Sequence, residues 1–158
     1  MKVTLLVVGK TTDPHIVALI DDYKRRLTHY LPFEMVVIPE LKNAKNLTEE
    51  QQKQQEGELI LKAVGKGATA HAVLLDEHGC EYRSVAFADY LQKRMSAGQD
   101  IIFVVGGPYG FSPEVYARAN AKISLSQMTF SHQMVRLFFV EQIYRAMTIL
   151  RSEPYHHE

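Results

Sequence analysis

Residues 101–114 read IIFVVGGPYGFSPE, an uninterrupted apolar run that is followed by three glycines and a proline and then by Ser-Pro-Glu. Every side chain of Ile101–Val105 is apolar, so this strand has no face suited to water. Such a strand belongs in the middle of a parallel sheet that helices cover on both sides. Ser112, Pro113 and Glu114 supply an N-cap, an N1 proline and an acidic first turn, which predict that a helix begins here. The stretch therefore predicts a strand, a specialised turn and a helix of an α/β fold.

The same alternation of strand and helix continues on both sides of this stretch. A short β-type run at 2–8 predicts the first strand, and Asp13-Pro14 provides an N-cap and an N1 proline for a helix that reaches about Leu27. This order predicts a single α/β domain over residues 1–158, with a mostly parallel sheet flanked by helices. Further strands are predicted at 33–38, 72–76 and 123–126, and further helices at 49–66, 84–95 and 132–151. Thr48 and Ser84 are the predicted caps, and Gly65, Gly67 and Gly98 are predicted to end helices. Gly79 is predicted to form a turn.

Composition excludes several classes of protein. The chain has 158 residues, of which 46% are hydrophobic and 23% charged, as in soluble globular domains, and no apolar run approaches the roughly 20 residues of a membrane span. Cys80 is the single cysteine and no Cys/His cluster has zinc spacing, which predicts a cytoplasmic protein without a metal site. Since 18 Lys and Arg balance 18 Asp and Glu, an RNA partner has to be met by a local patch or by the combined surface of a dimer.

Gly106 and Gly107 follow the predicted central strand, at the carboxyl end where open α/β sheets bind ligands. The GxGxxG fingerprint is not matched, so a dinucleotide-binding fold is not indicated. Gly9-Lys10-Thr11 resembles the end of a P-loop, but Thr4 stands where that motif needs its first glycine. As a bare pattern, the glycine stretch fits a tight turn and a binding loop equally well.

The last predicted helix carries charged residues in unusual places. Arg136 falls within its apolar stripe, which indicates either an anionic ligand or carboxylate partner, or an arginine whose head reaches water. Glu141 and Arg145 are spaced i,i+4, as in a simple surface ion pair. The helix is apolar almost all round, which predicts burial on both sides, most easily in a homodimer.

The chain ends in Pro154-Tyr155-His156-His157-Glu158. Proline ends the helix, and tyrosine, histidine and glutamate can all take part in proton transfer. Chain ends are usually frayed and inert, so the residues alone leave both interpretations open.

Five segments, taken together and in order, are similar to one family. They are LLDEHG at 74–79, FVVGGPYGFS at 103–112, SLSQMTFSHQMVR at 124–136, EQIYRA at 141–146 and PYH at 154–156. The sequence resembles the RlmH-type SPOUT methyltransferases, which methylate a pseudouridine of 23S ribosomal RNA. This resemblance implies a SPOUT fold with a carboxyl-terminal trefoil knot that binds S-adenosylmethionine, and a homodimer in which each pocket is completed by the partner subunit.

The resemblance also assigns residues. The matching positions for the cofactor are Leu75, Gly106, Gly107, Leu125, Ser126, Gln127, Met128, Thr129 and Phe130, and the polar positions near the reaction centre are His132, Arg136, Glu141, Arg145, Tyr155 and His156. Two positions depart from the family pattern, because Ser131 replaces a common proline and His157 replaces an arginine or lysine. The first departure predicts a looser loop and the second a weaker phosphate contact.

The implied reaction is attack by N3 of pseudouridine on the sulfonium methyl group, helped by a base that removes the imide proton. His156, oriented by Tyr155, is the first choice of base because imidazole titrates near neutral pH, and His132 is the second. Arg136 and Arg145 are predicted to hold phosphate or the imide anion, with Glu141 fixing Arg145.

The assembled ribosome is the predicted substrate, with the basic patches at 24–26 and at Lys42 and Lys45 touching phosphate. A SPOUT enzyme that acts on transfer RNA and a non-catalytic ribosome-binding module remain as alternatives. Without the resemblance, the residues indicate only an α/β nucleotide-binding protein.

Overall fold

The computed structural model describes residues 1–65 and 68–157, which form an α/β fold. The strands are β1 (Val3–Val8), β2 (Phe33–Ile38), β3 (His71–Glu81), β4 (Ile101–Val105) and β5 (Ala121–Ser124). The helices are α1 (Pro14–Leu27), α2 (Glu49–Val64), α3 (Ser84–Ser96), α4 (Pro113–Arg118) and α5 (His132–Leu150), with a short 3-10 turn at Ala44–Asn46.

Within the described residues, five strands form one sheet in the order β2-β1-β4-β3-β5, and every neighbouring pair is parallel. Ile101 of β4 lies between Val3 of β1 and His71 of β3, so the all-apolar strand occupies the centre. The side chains of Phe103 and Val104 point to opposite faces of this strand and both are fully buried. The prediction of a central parallel strand from 101–105 is confirmed.

Helices cover both faces of the sheet. On one face, the Phe103 ring packs edge-on against Phe139 of α5 at 4.7 Å and against Phe87 of α3 at 6.3 Å. On the other face, Val104 belongs to a core cluster with Ile60 of α2 and Val115 of α4. The predicted sheet flanked by helices is therefore confirmed, and the carboxyl ends of its strands share one edge.

Most of the predicted helix starts are confirmed by their caps. Asp13 accepts a hydrogen bond from the His15 amide, Thr48 forms a capping box with Gln51, and Ser112 accepts from the Val115 amide. Ser84 was wrongly predicted as a cap, because Arg83 already has the extended backbone of an N-cap and Ser84 is the first helical residue. Gly65 follows the end of α2 at φ +85°, as predicted, whereas Gly67 lies outside the described residues.

The predicted turn at Gly79 is wrong, because β3 continues through it to Glu81. Leu75 and Cys80 both pair with Ile123 of β5, so residues 76–79 form a bulge between them. A Cβ atom on Gly79 would lie 2.6 Å from the backbone nitrogen of Ile123, and a glycine is therefore required by this close approach. Pairing with the longer β3 also places β5 at Ala121–Ser124, two residues before the predicted strand.

The described helices include none that is long and apolar enough to cross a membrane. The trefoil knot that the resemblance implies stays a prediction for the segment after β5.

Candidate active site

A cavity of about 550 Å³ opens at the carboxyl ends of β3 and β4. The glycine loop after β4 (106–110), the bulge of β3 (76–78) and the loop after β5 (125–130) form its walls. His132, the first residue of α5, also lines it. All the residues predicted as cofactor positions line this one cavity: Leu75, Gly106, Gly107, Leu125, Ser126, Gln127, Met128, Thr129 and Phe130.

The glycine loop is both a tight turn and a wall of the cavity. The Gly110 amide donates to the Gly107 carbonyl at 3.3 Å, and Gly110 has φ +83°, which favours glycine. Behind the loop, a Cβ on Gly106 would lie 2.9 Å from the Phe111 ring, and one on Gly107 would lie 2.1 Å from Glu56 Oε1. The tight turn is therefore confirmed, and binding by this loop stays a prediction: the protein packs tightly against one side of the loop while its other side faces the cavity.

Local hydrogen bonds hold the loop after β5. Ser124 Oγ donates to the Ser126 carbonyl at 3.1 Å, and the Met128 amide donates to Ser126 Oγ at 3.0 Å. Ser131 then caps α5 by accepting from the Met134 amide at 3.1 Å. The residue that departs from the family pattern thus anchors the loop to the helix, and the predicted looser loop stays a prediction. Met128 at the tip is 78% exposed, and so offers an apolar side chain at the mouth of the cavity.

Glu56 of α2 is a buried carboxylate behind the glycine loop. It is 6% exposed and accepts a hydrogen bond from Gln52 Nε2 at 3.2 Å. Burial raises the pKa of Glu56 above its ordinary value, and the nearby His132 opposes this change. Sequence reasoning missed this residue, since a glutamate in a charged helix looks like a surface residue.

The bulge of β3 contributes polar residues that sequence reasoning also missed. Asp76 accepts hydrogen bonds from the Tyr116 hydroxyl and, at 2.8 Å, from the His78 amide. Burial, followed by the bond to Asp76, raises the pKa of Tyr116 to about 12, so Tyr116 remains a donor. The available signal was an acidic pair, Asp76-Glu77, directly after the apolar run at 72–75.

Arg136 is 2% exposed and serves neither of the roles expected from the sequence. Its guanidinium donates to the carbonyls of Val8 and Gly9 at 2.8 Å and to Thr11 Oγ1 at 2.9 Å. It therefore does not reach water, and the partners that it binds are backbone and hydroxyl oxygens of the loop after β1. Burial lowers the pKa of Arg136, while Glu40 opposes that effect. The contacts make Arg136 a clamp between α5 and β1.

The end of the chain is folded back onto α5 and α1. Glu141 Oε1 accepts from Arg145 Nη2 at 2.7 Å and from the Tyr155 hydroxyl at 2.9 Å, so the predicted pairing of Glu141 with Arg145 is confirmed. Arg145 Nη1 lies 3.1 Å from His156 Nδ1, and the Tyr155 hydroxyl lies 3.3 Å from that of Tyr23. We call Tyr23, Glu141, Arg145, Tyr155 and His156 the tail cluster.

The hydrogen bonds of the tail cluster indicate the tautomer of a neutral His156 and keep the Tyr155 hydroxyl protonated. Arginine can only donate, so His156 Nδ1 must accept, and the neutral imidazole carries its proton on Nε2. Burial and the bonds to Tyr23 and Glu141 raise the pKa of Tyr155, which stays protonated at neutral pH. Tyr155 is therefore a donor, and its influence on His156 passes through Glu141 and Arg145.

One chain places the predicted catalytic residues at two locations. His132 lines the cavity, but Glu141, Arg145, Tyr155 and His156 are absent from the described residues that line it. Glu141 lies nine residues along α5 from His132, which corresponds to about 14 Å at the rise of an α-helix. The cavity and the tail cluster are therefore separate surfaces of the protomer.

Among the described side chains, no group of three or more His, Cys, Asp or Glu residues is arranged to hold a metal ion.

Solved structures and curated proteins resemble this chain. A probable methylase family protein from Haemophilus influenzae superposes with a TM-score of 0.54 at 8% identity, over 99% of this chain and 70% of that one, which shows a common fold alone. Proteins named ribosomal RNA large subunit methyltransferase H are 62% identical in Parabacteroides distasonis, 60% in Bacteroides thetaiotaomicron and 54% in Flavobacterium johnsoniae, each over 100% of both chains. The family model described as predicted SPOUT methyltransferase matches residues 1–156, and the chain therefore belongs to the SPOUT methyltransferase family.

Proposed function

We propose that this protein transfers the methyl group of S-adenosylmethionine to N3 of a pseudouridine in 23S ribosomal RNA, on the assembled ribosome. The observation that carries the proposal is the cavity at the carboxyl ends of β3 and β4, which gathers all nine residues matched to the cofactor positions of the family. The names of the full-length relatives support a large-subunit ribosomal RNA as the substrate.

The lining of the cavity suits S-adenosylmethionine. Leu75, Leu125 and Phe130 offer apolar surface for an adenine ring, and the glycine loop exposes backbone groups for its polar edge. Asp76 and Glu77 place carboxylates beside a ligand that carries a sulfonium and an ammonium group. When bound there, the cofactor supplies an electrophilic methyl group.

We infer that the enzyme works as a homodimer in which the tail cluster of one protomer faces the cavity of its partner. A single chain holds the tail cluster away from its own cavity, although both carry residues that the family pattern places near the reaction centre. A two-fold dimer brings the two surfaces together twice, once for each cavity.

His156 is the base in this proposal. Because Nδ1 accepts the bond from Arg145, it has no proton of its own. Once the imide N3–H of the substrate takes the place of Arg145 at Nδ1, this nitrogen can take the imide proton. Arg145, held by Glu141 at 2.7 Å, then faces the developing imide anion with its positive charge. Arg136 does not contact the substrate in this proposal. Its buried guanidinium instead holds the loop after β1, and little of its charge is left for RNA.

Phosphate contacts come from local patches, because the whole chain has no net charge. The residues at 24–26 lie at the end of α1, and Lys42 and Lys45 lie around the 3-10 turn. Replacement of these basic residues should weaken binding to ribosomes and reduce its dependence on salt together.

The test is transfer of labelled methyl from S-adenosylmethionine to unmethylated ribosomes, beside free large subunits, bare ribosomal RNA and bulk transfer RNA. Incorporation at one pseudouridine of assembled ribosomes is the expected result. Incorporation into transfer RNA alone would reassign the substrate within the same family. Absence of incorporation, together with absence of calorimetric binding of S-adenosylmethionine, would leave a non-catalytic ribosome-binding module.

A further inference from the structure

A pocket lined by arginine and aromatic side chains lies beside the tail cluster. Its volume is about 400 Å³, and the residues that line it are Arg25, Arg26, His29, Tyr30, Tyr144 and Arg151. We call it the arginine pocket. The carboxyl-terminal ends of α1 and α5 supply the residues that line it. The sequence did not single out Tyr144 or Arg151.

The arginines of the pocket outnumber the carboxylates that lie around them. Arg25, whose side chain is 74% exposed, has its ion-pair partner Asp22 at 3.7 Å, and Arg26 shares that same carboxylate at 3.1 Å. Arg151 donates to the backbone carbonyl of His29 at 2.9 Å, a contact that leaves its charge uncompensated. Glu153 accepts the Tyr30 hydroxyl at 2.5 Å and keeps its negative charge beside the pocket. Three arginines against the two carboxylates of Asp22 and Glu153 leave one net positive charge here, on a chain that is neutral overall.

The aromatic rings form a continuous path from the pocket to the tail cluster. The Tyr30 and Tyr144 rings meet edge-on with centroids 5.7 Å apart, and the Tyr144 and Tyr155 rings meet at 4.9 Å. Arg151 lies 4.4 Å from the centroid of Tyr30, and Arg26 lies 5.6 Å from that of Tyr144. Planar cations and rings at these distances are the surfaces on which unpaired bases stack.

We propose that the arginine pocket binds a nucleotide of the RNA strand that flanks the target pseudouridine, with its phosphate on the arginines and its base against the arginine and tyrosine planes. The inference rests on the proposed function, because it places this nucleotide next to the tail cluster that acts on the target base. RNA fits better than an acidic peptide, since carboxylates would use the arginines but would leave the rings without a role. The pocket also explains how a chain without net charge can hold RNA.

The test uses Arg25→Gln and Arg151→Gln in the full-length protein, with Lys62→Gln as the control. Lys62 is an exposed cation on α2, which covers the other face of the sheet. Steady-state methylation of unmethylated ribosomes is measured over a series of salt concentrations, together with calorimetric affinity for S-adenosylmethionine.

Each pocket variant should raise KM for ribosomes several-fold and leave kcat and cofactor affinity unchanged. The slope of log KM against log salt should fall by about one for each arginine removed, as expected for one lost phosphate contact. Lys62→Gln should change neither quantity. Among the described residues, the Arg25 side chain has only a long ion pair with Asp22, so Arg25→Gln remains informative if Arg151→Gln proves less stable.

Two results would overturn the inference while the proposed function stands. If wild-type protein methylates ribosomes and the pocket variants keep its KM and salt slope, the pocket does not bind RNA. If KM rises while the salt slope stays the same, the pocket contacts a ribosomal protein. Failure of the wild-type protein to methylate ribosomes would instead remove the proposed function, whatever the variants do.

Discussion

At the residue scale, the contact between Arg145 and His156 decides what the tail cluster can do. Arg145 is bound on one side by Glu141 at 2.7 Å and lies 3.1 Å from His156 Nδ1 on the other. The arginine therefore orients the imidazole and keeps Nδ1 free of a proton. In the proposed mechanism, a substrate imide would take the place of Arg145 at Nδ1, and the displaced guanidinium would then lie beside the new anion. The same residue would thus supply both orientation and charge stabilisation.

The assignment of the base is tested with His156→Ala. We expect the methylation rate to fall by about 10²- to 10⁴-fold, because general base catalysis is lost, while calorimetry shows little change in cofactor affinity. His15→Ala is the control, since His15 is an exposed histidine on α1. Unchanged turnover in His156→Ala, with a large loss in His132→Ala, would move the base to the histidine that lines the cavity.

Glu56 gives a prediction for the dependence of stability on pH. Burial raises the pKa of this carboxyl above 4.5, so the folded protein holds the proton more tightly than the unfolded chain. The stability that Glu56 contributes is therefore fully present below pH 4.5 and is lost as the pH rises through the folded pKa. Gln52, His132 and Glu40 also face this group, and the sign given is their net effect with burial.

We expect the change in the free energy of unfolding caused by Glu56→Gln to be more stabilising at pH 7 than at pH 4. At pH 7 the wild-type protein carries an ionised buried carboxylate, whereas glutamine is not ionised at either pH. Urea unfolding of both proteins across this range measures the difference. Glu50→Gln on the same helix is the control, since the Glu50 side chain is 82% exposed. A difference that is the same at every pH would show that Glu56 has its ordinary pKa.

At the scale of elements, α2 supports the active-site loop through one glycine. A Cβ on Gly57 would lie 2.4 Å from Ser112 Oγ and 3.3 Å from Val115 Cγ2. The backbone of α2 therefore packs directly against side chains at the start of α4. Ser112 is also the cap of α4, the helix that follows the glycine loop. The close approach brings the neighbouring Glu56 behind Gly107. A glycine that weakens the helix by its own propensity is thus explained by packing.

Gly57→Ala should therefore destabilise the protein, although alanine is the better helix former. We expect a loss of about 1–3 kcal/mol in the free energy of unfolding, because the added methyl displaces the Ser112 cap. Urea unfolding measures this loss, and Glu58→Ala at the next, exposed position of α2 is the control. An increase in stability for Gly57→Ala would mean that α2 and α4 can separate without cost.

At the scale of the whole molecule, the cavity and the tail cluster lie apart on one protomer. In one protomer the cavity opens at the carboxyl ends of the central strands, and the tail cluster sits where α5 meets α1. In the dimer proposed above, two copies related by a two-fold axis would form two composite sites, each with one cavity and the tail of the other chain. Mixing of two inactive variants separates this arrangement from a site built within one chain.

The mixing experiment combines His156→Ala with Gly106→Val, a change that forces a side chain against the Phe111 ring behind the glycine loop, 2.9 Å from the added Cβ, and so displaces the loop that forms a wall of the cavity. Random exchange of subunits makes half of the dimers mixed, and each mixed dimer has one site with both defects and one with none. Activity should therefore recover to about a quarter of wild type. If the mixture stays inactive although mass spectrometry shows mixed dimers, the cavity and the tail of the same chain work together.

The sequence predicts the elements well where local chemistry sets them. Thr48 with Gln51, and Ser112 with Pro113, mark helix starts that depend on neighbouring residues alone. It fails at Gly79, where the need for glycine comes from the backbone of Ile123 in another strand. No local pattern distinguishes a glycine required by a turn from one required by close approach.

The sequence by itself determined the central strand, the order of strands and helices, the apolar faces that they bury and, through the family pattern, the residues of the cavity. All of these depend on residue types that are close in the chain. Only the tertiary structure decided that Arg136 binds the carbonyls of Val8 and Gly9, that Glu56 lies behind Gly107, and that Arg25 and Arg151 share a pocket. Those partners are brought together across the sheet and between helices, so their contacts and charges exist only once the chain has folded.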